Sequence, residues 1–153
     1  MLAGAVGGLA AAYVMNQFQT LWTKAAGSGQ PESKGDDSTV NTAKAISRHV
    51  FSHELSDAQK KWAGPAVHYS FGTLVGAAYG VLVETVPEAS AGAGTAYGSA
   101  VWLAADEIGL PALGLAQPPS KTPAASHVKA LASHLVYGVT TDLTRKLILR
   151  TGR

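Results

Sequence analysis

The chain has no cysteine, which excludes a disulfide framework, thiolate chemistry and any cysteine-based metal site. No Ser-His-Asp spacing, phosphate-cradling loop or pair of catalytic carboxylates stands out. No catalytic residue is therefore assigned, and the chain is not expected to be an enzyme. Gly92-Ala-Gly94-Thr-Ala-Tyr97 does not complete a dinucleotide fingerprint, because Tyr97 fills the third glycine's place and no strand precedes it. His49 and His53 stand four apart with Glu54 alongside, which would put two imidazoles on one helix face, but the order is not that of a zinc hydrolase. The basic excess, 12 Lys and Arg against 10 Asp and Glu, is too small to imply nucleic acid. The N-terminus also lacks the basic stretch of a signal peptide and reads as a retained first helix.

What charge there is lies segregated. A hydrophobic content of 46% is ordinary, but the first charged side chain is Lys24. Further charge-free runs cover Trp62 to Val83, Ala89 to Ala105 and Ala130 to Thr141. About 20 apolar residues cross a bilayer core, so the first two runs suffice unaided. The third needs Asp106 and Glu107 inside the span. The fourth needs Lys129, Arg145 and Lys146 to snorkel, with Asp142 inside. The chain thus reads as all-α, a single transmembrane domain over 1–153 with four spans at about 2–22, 62–84, 90–108 and 125–149.

Glycine spacing supports helices in close contact. His68-x-x-x-Gly72-x-x-x-Gly76-x-x-x-Gly80 keeps one stripe of a helix nearly bare. Such stripes let a second helix approach backbone to backbone, as in lipid. Gly4 and Gly8, Gly94 and Gly98, and Gly138 are the corresponding packing positions elsewhere. Aligning Gly4, Gly8 and Asn16 with Gly94, Gly98 and Asp106, and His68 and Gly72 with His134 and Gly138, suggests two parallel helix-pair repeats.

Between the first two spans, Gly27 to Asp37 reads as a flexible stretch rich in Gly, Ser, Pro and charge. After it, Val40, Ala43, Ile46, Val50 and Phe51 share one face of a short amphipathic helix, expected to lie on a membrane surface. Ser56-Asp-Ala-Gln59 reads as a capping box for the next helix. A tight turn is expected at Val86-Pro87-Glu88, and a proline-rich connector from Pro111 to Pro123.

Polar residues inside the spans are few: Asn16, His68, Asp106, Glu107 and His134. Up-down connectivity gathers them at one depth, on the side of the two long connectors. Intramembrane ionisable groups are costly and call for a partner; here the natural partners are each other, His68 or His134 with Asp106 or Glu107. The cluster is open to three uses: a polar clasp fixing helix register, a proton or ion pathway, or a haem or metal site built on paired histidines. The clasp is the expectation, with no metal and no cofactor.

The block from His68 through Gly72, Gly76 and Gly80 to Pro87, the segment Pro111-Ala-Leu-Gly-Leu-Ala-Gln-Pro-Pro119, and Ser133-His-Leu-Val-Tyr-Gly138 with a basic C-terminus resemble the YagU-like family of uncharacterised bacterial inner-membrane proteins. The resemblance runs over roughly residues 64–150. It implies an all-helical fold and a multi-pass location in the bacterial inner membrane, and it supplies no catalytic residue or substrate. The function expected is a helix-packing scaffold or accessory subunit of a membrane complex. The expected partners are the lipid bilayer and a homo-oligomer or larger membrane complex.

Overall fold

The computed structural model describes residues 1–26 and 37–152, and every regular element among them is helical. The stretch from Gly27 expected to be flexible lies outside the described residues, except for Asp37 at its end. Helix α1 spans Leu2–Ala26, α2 Ser38–Phe51 and α3 Asp57–Thr85. A short 3₁₀ turn, Pro87–Ser90, leads to α4, Thr95–Trp102. This continues through a π-helical segment, Leu103–Gly109, into the single turn α5, Leu110–Ala112. After a second 3₁₀ turn, Pro119–Lys121, α6 runs over Ala124–Thr151.

Local chemistry sets the boundaries. Asp37 caps α2, its carboxylate accepting from the Thr39 and Val40 amides, each at 2.9 Å. The Ser56–Gln59 capping box is formed, with the Ser56 amide donating to Gln59 Oε1 at 2.8 Å and the Gln59 amide to Ser56 Oγ at 3.3 Å. It starts α3 at Asp57, where the capping box puts it and five residues before the apolar span expected from 62. The third helix starts later than expected, at Thr95 rather than 90. Gly92, Ala93 and Gly94 all have left-handed φ values, of 60°, 55° and 89°, which no helix tolerates.

The helices pack in the order α3, α1, α6, α4, each antiparallel to its neighbour. Gly4 lies beside Gly80, and Gly8 beside Gly72 and Gly76. Gly7 faces Thr141 of α6, and Gly94 and Gly98 lie against Gly138 and His134. Across the remaining gap, the rings of Tyr79 on α3 and Tyr97 on α4 stand 4.8 Å apart. The two glycine contacts resemble each other, but one turn out of the expected register. Gly8 sits over Gly72 and Gly76, whereas Gly94, not Gly98, sits over their counterparts Gly138 and Asp142.

Helix α2 lies across α3, with Val40 against Gly64 and with Ala43 and Ser47 buried. Its apolar face is divided, since Ile46, Val50 and Phe51 remain exposed. His53 lies beyond the helix, which ends at Phe51 with Ser52 left-handed, so His49 and His53 do not share a helical face. His53 Nε2 instead stands 3.2 Å from Gln59 Oε1. Beside it, Arg48 hydrogen-bonds Glu54 at 2.8 Å and holds that carboxyl below its usual range.

Among the described residues, α3 alone is long and apolar enough to cross a membrane, with a mean hydropathy of 1.3 over its best stretch. The other three expected spans fall short for identifiable reasons. Helix α6 carries Lys129, Asp142, Arg145 and Lys146, the third span is divided into short pieces, and α1 is rich in alanine and glycine and includes Asn16, Gln17 and Gln19.

The glycine seam is directly testable. A Cβ on Gly76 would meet the Gly4 carbonyl oxygen at 2.5 Å and the Gly8 amide nitrogen at 2.7 Å, and neither backbone atom can swing aside. Gly76→Leu is expected to lower stability in detergent by at least about 1–3 kcal/mol. Exposed Leu74→Ala, on the same helix, should stay within about 0.5 kcal/mol of wild type. Thermal unfolding followed by circular dichroism separates the two; equal melting temperatures would remove the seam.

Candidate functional site

The π segment sets the geometry of the site. The Leu110 amide donates to the Ala105 carbonyl, five residues back, and Gly109 passes so near Ala104 that a Cβ would stand 2.9 Å from its carbonyl oxygen. Glycine thus permits the wide turn, a feature that recurs at functional sites. The turn presents its two adjacent carboxylates to different residues of α6. Asp106 Oδ2 lies 3.7 Å from His134 Nδ1, and Glu107 Oε1 lies 2.6 Å from His127 Nδ1. His127 and His134 are seven residues apart, on one stripe of the helix. The result is two carboxylate–imidazole pairs arranged along α6.

The first pair opens onto a cavity of about 470 Å³, within the range of small-molecule sites. Met15, Phe71, Val75, Val101 and Leu110 form apolar walls, while His68, Asp106 and His134 supply polar groups. Asp37, Ser38, Thr39 and Thr42 stand at the α2 side. Asn41 Nδ2 donates to the Leu115 carbonyl at 3.2 Å, which ties α2 to the connector before α6. The second pair, with Asp106, lines a smaller adjoining cavity of about 180 Å³.

The expected polar cluster is thus divided. His68 and His134 line one cavity with Asp106, but their hydrogen bonds go to backbone: His68 Nε2 donates to the Ala12 carbonyl at 3.2 Å, and His134 Nδ1 to Ala130 at 2.9 Å. Glu107 bonds His127 and neither of the histidines expected as its partner. Asn16 faces outward from α1 and joins none of them. Among the described residues, no three His, Asp or Glu side chains converge closely enough to hold a metal ion.

A second polar centre lies two to three turns away, outside the polar cluster expected from the sequence. Asp142 is fully buried on α6. Its Oδ1 accepts from the Tyr79 hydroxyl at 2.8 Å and its Oδ2 from Lys146 Nζ at 2.6 Å. Nearby, Tyr137 donates to the Gly72 carbonyl at 2.6 Å, and Tyr97 to Val75 at 2.8 Å. The signal available in the sequence was Asp142 with Lys146, an i, i+4 acid–base pair at the edge of a charge-free run. The tyrosines gave no comparable sign.

Fold and site together define a helical bundle with a largely apolar, partly enclosed cavity at one end that carries a few polar groups. Residues 39–143 match the model of a family described as a protein of unknown function, DUF1440. The match covers more than half of the chain, which belongs to that family. It runs from α2 into α6 and leaves α1 outside. No curated protein and no solved structure matches the chain.

The buried Tyr79–Asp142 bond gives a second test. Tyr79→Phe leaves a buried carboxylate oxygen without its donor and should destabilise by about 1–3 kcal/mol. In a double-mutant cycle with Asp142→Asn, a coupling of about 0.5–3 kcal/mol is expected. Strict additivity would show that the hydroxyl and the carboxylate act independently.

Proposed function

We propose that the chain is a four-span protein of the bacterial inner membrane, akin within its family to the YagU-like proteins. In this reading it acts as a helix-packing scaffold or accessory subunit, as a homo-oligomer or within a larger membrane complex, and catalyses no reaction. The observation that carries the reading is an inverted polarity. Ser133, His134, Thr141 and Asp142 are buried between the helices, while Leu9, Leu74, Val81, Leu143 and Leu147 face outward. Only 22% of the apolar stretch of α3 is buried, far less than a core helix in water would require. Lipid is the solvent that suits such an exterior. The glycine contacts suit a scaffold, because close backbone approach replaces side-chain interdigitation.

A chain without cysteine is well suited to a topology test. Four spans put Glu88 and Thr151 on one side of the membrane and Lys24 and Lys121 on the other. Single cysteines at these positions, probed with a membrane-impermeant thiol reagent in intact cells and in inverted vesicles, should label as two opposed pairs. Labelling of all four from one side would overturn the four-span arrangement. Retention of the protein in membranes after alkaline carbonate washing is the companion expectation.

The Tyr79–Asp142–Lys146 centre favours a second reading, a proton or ion pathway, because polar groups then occupy two depths of the bundle rather than one. Proteoliposomes should then pass protons, and Asp106→Asn with His134→Ala should abolish the flux. Flux equal to that of empty vesicles would remove the pathway and leave the scaffold.

A further inference from the structure

We infer that the cavity between α1, α3, the π segment and α6 binds a small hydrophobic amine, its apolar body among the helices and its protonated nitrogen at Asp106. The size is suitable, since about 470 Å³ admits a molecule of ordinary ligand dimensions. The walls are apolar on three helices, with Met15 from α1, Phe71 and Val75 from α3, and Val101 from α4. The polar groups around Asp106 are matched to one kind of partner. A backbone carbonyl can only accept, so the bonds to Ala12 and Ala130 place the ring hydrogens on His68 Nε2 and His134 Nδ1. In the neutral ring, the other nitrogen of each histidine is then an acceptor. The Asp106 side chain is about one-third exposed at 32%, and as a carboxylate beside an ammonium it is acceptor-only. Around Asp106, where His68 and His134 turn acceptor nitrogens to the same cavity, a ligand that donates and is positive is favoured. The same chemistry disfavours a carboxylate or phosphate, which would bring acceptor against acceptor. The inference holds for the bundle whether or not it crosses a bilayer.

The test uses three naphthalene probes of one shape and different head: naphthylmethylamine, naphthylmethanol and naphthoate. Binding to the purified full chain in detergent is followed by equilibrium dialysis, with helix content checked by circular dichroism. The amine should bind saturably, one per chain, and at least about tenfold more tightly than the alcohol, a difference of about 1.4 kcal/mol. Naphthoate should bind most weakly. Asp106→Asn keeps the shape and removes the charge, and should reduce the amine preference to less than about twofold. Val101→Trp should fill the cavity and weaken all three probes.

Equal affinity for amine and alcohol in the wild type would overturn the inference, as would an undiminished preference in folded Asp106→Asn. Should that variant not fold, the wild-type head-group series decides alone. A free hydrophobic amine and the amine headgroup of a phospholipid share this chemistry, and reconstitution distinguishes them. Probe affinity lower in phosphatidylethanolamine than in phosphatidylcholine nanodiscs identifies the lipid amine as occupant, and equal affinity identifies the free amine.

Discussion

The near-contact of backbones along two glycine seams is the constraint from which the other features follow. Where Gly4, Gly8, Gly76 and Gly80 meet, no side chain separates α1 from α3. Gly94 and Gly138 bring α4 and α6 together in the same way. Helices held this close leave room for only a narrow interior, occupied by Ala11, Ala12, Ser133 and Thr141, with Tyr79 and Tyr137 as its bulky members. At Gly72 the neighbour is already the Ala12 methyl rather than bare backbone. Past that point come Met15, His68 and Phe71, and the helices part to form the cavity. The cavity is thus the space that opens where the glycine stripe ends.

A narrow interior also explains how the bundle tolerates buried polar groups. An unpaired carboxylate inside a protein is expensive, and pairing with full hydrogen bonding is the usual remedy. Asp142 has both oxygens engaged, by Tyr79 and by Lys146, whose ammonium remains partly exposed. The Tyr137 and Tyr97 hydroxyls in turn occupy the backbone carbonyls of Gly72 and Val75. The Trp102 indole N–H is the exception, buried with no hydrogen-bond partner among the described residues.

The sequence made some of this legible for reasons that are local. A capping box needs only Ser56 and Gln59, and a bare stripe only the spacing of Gly72, Gly76 and Gly80. Helix α2 followed from its apolar period. What escaped depends on rotation and depth rather than on spacing. The left-handed run at Gly92–Gly94 delays α4, and the wide turn after Trp102 re-aims Asp106 and Glu107, so a straight helix gives the wrong partners. Glu107 reaches His127 because that turn adds a residue, and nothing in a 3.6-residue period marks where it is added. Repeat matching located the second seam but placed it a turn away, since it counts glycines whereas the contact also engages Asp142.

The seam is reciprocal. The space a side chain would need at Gly8 is occupied by the backbone of Gly76, and the space needed at Gly76 by the backbone of Gly8. In an ordinary core, an enlarged residue can be accommodated when its neighbour shrinks, and lineages drift through such compensated pairs. Here the neighbour is already the smallest residue available. No second change at the facing position restores the fit, so the two sites cannot trade volume. Their evolutionary paths are coupled as a shared veto rather than as an exchange. Covariation methods, which read contacts from compensated pairs, would be blind to such a backbone contact.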